Sequence, residues 1–156
     1  MTNPDFKSRH TKTSSNLRKI TNAIVLSLAI VGGWADKSLS QEAKDDMNFH
    51  TPSKNIWCSY SSNNEALRCD IDKKKWNDWG CTNSGCYGSS FYIQSSGKAH
   101  PIKTSDTLIG SSNMTLAYGH SISLGKIKCV SESVGLTCSN PKGGKLHLNR
   151  EFYSLR

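Results

Sequence analysis

The chain has 156 residues, 35% of them hydrophobic and 21% charged, with a formal net charge of +8 and a mean hydropathy of −0.54. This length suits one folded domain, and the composition is polar without the charge blocks of a disordered tail. No apolar run approaches the roughly 20 residues of a membrane-spanning helix, which argues against an integral helical membrane protein.

The charge is uneven along the chain. Residues 1–35 hold Lys7, Arg9, Lys12, Arg18 and Lys19 against Asp5, which is half of the net positive charge. What remains on the rest of the chain is ordinary for solubility and points away from nucleic acid. The same segment has the parts of an export signal: a basic stretch ending at Arg18-Lys19, an apolar run from Ala23 to Val31, then small residues at Gly32, Gly33 and Ala35. The run is short for an uncleaved anchor. Cleavage is expected after Ala35, with Ser40 as the second candidate. Residues 1–35 are therefore read as a secretory signal peptide, 36–48 as a polar linker and 49–156 as the folded domain, secreted or periplasmic.

From Phe49 onward, short alternating runs are cut by Gly, Ser, Asn and Pro, and no helical period of apolar residues persists. The pattern predicts an all-β fold: one small disulfide-stapled antiparallel domain, sandwich or barrel-like, built from short hairpins. Predicted strands are Asn55–Tyr60, Ala66–Ile71, Ser90–Gln94, Thr115–Tyr118, Lys126–Ser131, Leu136–Ser139 and Lys145–Asn149, with Glu151–Leu155 a last strand or a helical turn.

Six cysteines, Cys58, Cys69, Cys81, Cys86, Cys129 and Cys138, all lie beyond the export signal, an even number suited to an oxidising compartment. Cys-x-x-Cys and His/Cys clusters are absent from the sequence, so disulfides are favoured over zinc, and no metal or cofactor is expected. Ile56-Trp57-Cys58 with Leu67-Arg68-Cys69, and Ile127-Lys128-Cys129 with Leu136-Thr137-Cys138, each flank a turn. In each triplet an apolar residue stands two before the cysteine, so both side chains share a strand face. Hairpins of this form place Cys58 opposite Cys69 and Cys129 opposite Cys138, leaving Cys81–Cys86 by elimination.

At this point the chain resembles a family of small secreted bacterial domains. The residues that carry the resemblance are Phe49-x-Thr51-Pro52-Ser53-Lys54-Asn55-Ile56-x-Cys58, Arg68-Cys69-Asp70-Ile71, Ser105-Asp106-Thr107, Leu116-Ala117-Tyr118-Gly119, Gly135-Leu136-Thr137-Cys138-x-Asn140 and Leu148-Asn149-Arg150-Glu151-x-Tyr153. That family has no assigned function, so the resemblance implies a secreted, cysteine-containing domain and no activity. The chain departs from it at one point. Relatives tend to carry a cysteine just before the Ser-Asp-Thr segment, where this chain has Lys103 or a neighbour, which leaves the third disulfide open.

Several constellations bear on chemistry. Gly119-His120-Ser121 with Asp106 spells a catalytic triad on paper, but the serine elbow it imitates needs a parallel strand-to-helix setting. The plainer reading is a turn at Tyr118-Gly119-His120. Asp70 and Asp72 alternate on a strand as a carboxylate pair would, though solvated strand-end charges are the plainer account. His147, Arg150 and Glu151 are the parts a small ribonuclease uses for acid–base work at phosphate, while an ion pair is the structural alternative. Lys73-Lys74-Lys75-Trp76, with Trp79 close behind, is the most distinctive surface candidate. Its rings could stack on a ligand beside three cations, or fold back over the disulfide region. The sequence therefore reads as an exported binding domain (an inhibitor, an immunity-type protein or a cell-envelope ligand binder) for a protein or envelope glycan in preference to nucleic acid. The alternative is a small secreted hydrolase acting on RNA or cell-wall glycan.

Overall fold

The computed structural model describes residues 40–43, 45–77 and 87–156, and within them the chain is all-β. Eleven strands occur there: β1 Ser40–Ala43, β2 Met47–His50, β3 Ile56–Ser61, β4 Ala66–Ile71, β5 Tyr87–Gln94, β6 His100–Thr104, β7 Ser121–Leu124, β8 Ile127–Glu132, β9 Gly135–Ser139, β10 Lys145–Leu148 and β11 Tyr153–Leu155. They form two sheets, β2-β3-β4-β5-β6 and β1-β7-β8-β9-β10-β11. Except for the parallel pair β1–β7, all pairing is antiparallel.

Alternation explains how the sheets pack. Phe49, Ile56, Cys58, Leu67, Cys69, Ile71, Phe91 and Ile93 from one sheet join Ile122, Leu124, Ile127, Cys129, Leu136, Cys138, Leu146 and Leu148 from the other in a single buried cluster. Along β3, β4 and β7 to β10 every second residue points into this shared layer, the arrangement of a β-sandwich.

Both sheets contain the same device. β2 to β6 and β7 to β11 are each a five-strand meander, and in each the disulfide joins the second strand to the third. Cys58 pairs with Cys69 and Cys129 with Cys138, both as directly opposed residues with Cα atoms 4.1 and 4.0 Å apart. These separations belong to the close, non-hydrogen-bonded class of antiparallel partners, where side chains approach best. All four sulfurs lie in the core layer, and the two bonds fit an oxidising compartment. Cys81 and Cys86, with the bond expected between them, lie outside the described residues.

The structure moves several expected boundaries. Part of the linker reading over 36–48 gives way to strands: Ser40–Ala43 lies parallel to β7, and Met47–His50 is the edge of its sheet. Polar composition hid β1, an edge strand in which Ala43 is the one buried side chain among those described, while β2 shows only the short alternation of Met47 and Phe49. β6 was hidden by Pro101, which an edge strand tolerates. Thr115–Tyr118 is no strand; it contributes one isolated bridge, Thr115 to His50, beside β2. Glu151–Leu155 divides into a turn and then β11. The export signal of residues 1–35 lies outside the described residues.

Candidate functional site

The loops at one end of the sandwich enclose a groove of about 810 Å³. Its lining comes from the β2–β3 turn (residues 51–55), Asp72 and Lys73 after β4, Tyr118 before β7, the β8–β9 turn (132–135) and the β10–β11 turn (149–152). Among the described residues four large apolar side chains are well exposed, and three of them, Tyr118, Val134 and Phe152, line this groove. Exposed apolar side chains gathered at a concave site, with polar groups around them, are the usual signature of a binding surface.

Each wall has a local cause. In the β2–β3 turn, Lys54 N–H donates to the Thr51 carbonyl at 2.8 Å, and the Trp57 indole N–H donates to the Lys54 carbonyl at 2.8 Å. Asn55 ties this turn to the segment after β4: its side-chain amide donates to the Lys73 carbonyl at 3.0 Å, and its oxygen accepts from Lys73 N–H at 2.7 Å. The β8–β9 turn closes at Gly135, whose φ of +143° lies outside ordinary L-residue conformations. A Cβ there would also run into the Leu148 carbonyl, so glycine is required for both reasons. In the β10–β11 turn, Asn149 Oδ1 accepts from the N–H groups of Glu151 and Phe152, both at 2.8 Å.

Two of the sequence candidates, the lysine–tryptophan segment and the Arg150-Glu151 turn, meet beside this groove. Lys75 N–H donates to the Arg150 carbonyl at 2.8 Å, Lys75 Nζ lies 2.9 Å from Glu151 Oε1, and the Trp76 indole N–H donates to the Asn149 carbonyl at 3.3 Å. The lysine–tryptophan segment is thus strapped to the C-terminal turn, and together they build one wall. Of the two roles the sequence left open to the tryptophans, Trp76 takes that of core cover. Trp76 is half-buried and packs edge-on against Phe91 and Tyr153, with centroids 5.8 and 4.8 Å away. It folds back onto the core and does not present a stacking face for a ligand. Lys74 extends over the Trp76 ring, 5.2 Å from its centroid, and donates to Ser89 Oγ at 2.8 Å. Lys73 lines the groove. Trp79 lies outside the described residues.

His147, Arg150 and Glu151 do not converge. The polypeptide leaves β10 after Leu148, so Glu151 belongs to the turn, not to the same strand face as His147. Glu151 pairs with Lys75, and Arg150 lines the groove. His147 lies behind Phe152, its ring stacked on the phenyl ring at 5.4 Å. Its two ring nitrogens meet Thr137 Oγ1 at 2.8 Å and the Asn149 side-chain nitrogen at 3.2 Å. Burial, reinforced by the charge of Lys145 and opposed by Glu132, lowers its pKa below the ordinary histidine value.

The remaining constellations have structural explanations. Asp70 is buried, not a solvated strand-end charge, because Arg68 grips both its oxygens at 2.9 Å. Arg68 also reaches Asp106 Oδ1 and the Asp106 carbonyl, each at 2.9 Å, while Asp70 accepts from Leu108 N–H at 2.8 Å. The network pins residues 106–108 across the outer face of the β2–β6 sheet. Asp106 is therefore unavailable to a triad with His120 and Ser121, and the Ser121 side chain is buried on its strand. No group of three or more metal-ligating side chains occurs among the described residues. Among the described residues no helix is long and apolar enough to cross a membrane. Comparison of the chain with family models, curated proteins and solved structures finds no match.

Proposed function

We propose that this chain is an exported binding domain, related to the small secreted bacterial domains it resembles, and that the end groove is its recognition surface. The observation that carries the reading is the gathering of Tyr118, Val134 and Phe152, all exposed, on one concave lining. Exposed apolar side chains ringed by charge are how protein interfaces are built, with an apolar centre and a polar rim. The hydrolase alternative is less well supported, since His147 and Glu151 are held by different neighbours. Export rests on the basic–apolar–small pattern of residues 1–35, and cleavage after Ala35 keeps β1 whole, whereas cleavage after Ser40 removes its first residue.

A photo-crosslinking residue at Val134, with the same residue at Lys128 as control, tests this in the native host. The expected result is one discrete adduct from Val134, absent from Lys128, in the envelope or secreted fraction, on a chain beginning at Asp36. Equal crosslinking from both positions, or a chain retained in the cytoplasm with Met1, overturns the reading.

A further inference from the structure

Two residues other than glycine adopt the left-handed backbone conformation among the described residues, Lys54 at φ 54° and Glu65 at φ 45°. This conformation costs an L-residue free energy that glycine escapes. At Glu65 the side chain compensates: its Oε2 accepts from Ser95 Oγ at 2.6 Å and lies 3.5 Å from Lys126 Nζ. At Lys54 nothing comparable occurs. Its ammonium has no hydrogen-bond or ion-pair partner among the described residues, and only its backbone serves the turn. A lysine thus persists where glycine would be more stable, at the edge of the groove. Strain retained at such a position is a mark of function.

The neighbouring charges point the same way. Lys75 is neutralised by Glu151, but Lys73 and Arg150, which also line the groove, have no ion-pair partner among the described residues. With Glu151 engaged by Lys75, which is not on the lining, three cations unpaired among the described residues, Lys54, Lys73 and Arg150, face two unpaired acids, Asp72 and Glu132.

We propose that the groove takes an acidic, apolar polypeptide segment, with Lys54, Lys73 and Arg150 receiving its carboxylates and Tyr118, Val134 and Phe152 receiving its apolar side chains. This rests on the reading of the groove as a recognition surface. A polypeptide is favoured over a glycan because Val134 offers sugar hydroxyls nothing, and one face of Phe152 is already covered by His147. Nucleic acid is disfavoured because Asp72 and Glu132 interrupt the cations and would repel a run of phosphates.

The test pans a random dodecapeptide display library against the folded, oxidised domain and follows the selected peptides by amide chemical shifts. Expected are sequences with Asp or Glu beside Leu, Ile or Phe, shifting the signals of Val134 and Phe152 and weakening with added salt. Lys54→Gly should melt roughly 2–6 °C higher and bind the selected peptide at least about fivefold more weakly. Lys54→Asn, which tolerates the same backbone, should lose binding as well and serves if the glycine variant misfolds. Groove-binding peptides without acidic preference, or full affinity in both variants, overturn this proposal and leave the recognition surface standing. So does a cell-wall oligosaccharide that shifts the same signals when no peptide does. If neither ligand class shifts groove signals, both readings fall.

Discussion

At the scale of single residues, the polar side chains inside this molecule behave as fasteners. Asn140 is buried, and its amide satisfies four backbone groups: it donates to the carbonyls of Gln94 and Gly97, both at 2.8 Å, and accepts from the N–H groups of Lys142 and Gly144. One side chain thereby joins the β9–β10 turn to the β5–β6 turn of the other sheet. The Arg68–Asp70–Asp106 network does the same for residues 106–108, and its bidentate geometry could not be reproduced by lysine. His147 adds a contribution that depends on pH. Because burial and Lys145 lower its folded pKa, the unfolded chain takes up its proton first as pH falls. The stability contributed by neutral His147 is present above the ordinary value of 6.5 and lost as pH falls through the lowered one. Urea denaturation from pH 7.5 down to 5 should show this loss, and His147→Gln should flatten that part of the profile.

At the scale of elements, the irregular segments are held to the sheets by specific contacts. Residues 114–116 lie along β2 through bonds of 2.9 Å from His50 N–H to the Met114 carbonyl and from Leu116 N–H to the His50 carbonyl. That pairing blunts an edge that would otherwise be open to aggregation. The segment after β4 is held by Trp76, whose ring packs edge-on against both Phe91 and Tyr153 while its N–H anchors the β10–β11 turn. Trp76→Ala should cost about 2–3 kcal/mol, below the figure for a fully buried ring, because the side chain is only half-buried. The same variant should release the wall formed by residues 149–152, seen as faster amide exchange at Glu151 and Phe152. Unchanged stability would mean that the ring is not a structural support.

At the scale of the whole molecule, stability rests on one core layer shared by two meanders, with one disulfide in each among the described residues. The closed loops are short, with sequence separations of 11 and 9 residues, so loop-closure entropy limits each bond to about 2.5–3 kcal/mol. Replacing Cys58 and Cys69 together, or Cys129 and Cys138 together, by Ala should therefore lower the unfolding free energy by similar amounts. The equivalence follows from their matching places in the two sheets, and strongly unequal losses in chemical denaturation would argue against it.

Strand alternation, the cysteine-flanked hairpins and the all-β class were legible in the sequence because each depends on residues close together in the chain. A period of two says which side chains share a face, and a short turn between two cysteines says which can meet. The pairings Cys58–Cys69 and Cys129–Cys138 could be read on that basis alone. The edge strands β1 and β6 could not, since strands that bury almost no side chains carry little apolar pattern. The fate of Trp76 depended on Phe91 and Tyr153, distant in sequence, and the burial of Asp70 depended on residues 106–108, which supply the Leu108 N–H to its carboxylate and hold Arg68 beside it. The groove was beyond local reasoning for the same reason. Tyr118, Val134 and Phe152 belong to three separate turns, Arg150 shares the turn of Phe152 and Lys54 stands in a fourth, so only the packing of the two sheets brings them to one end of the sandwich.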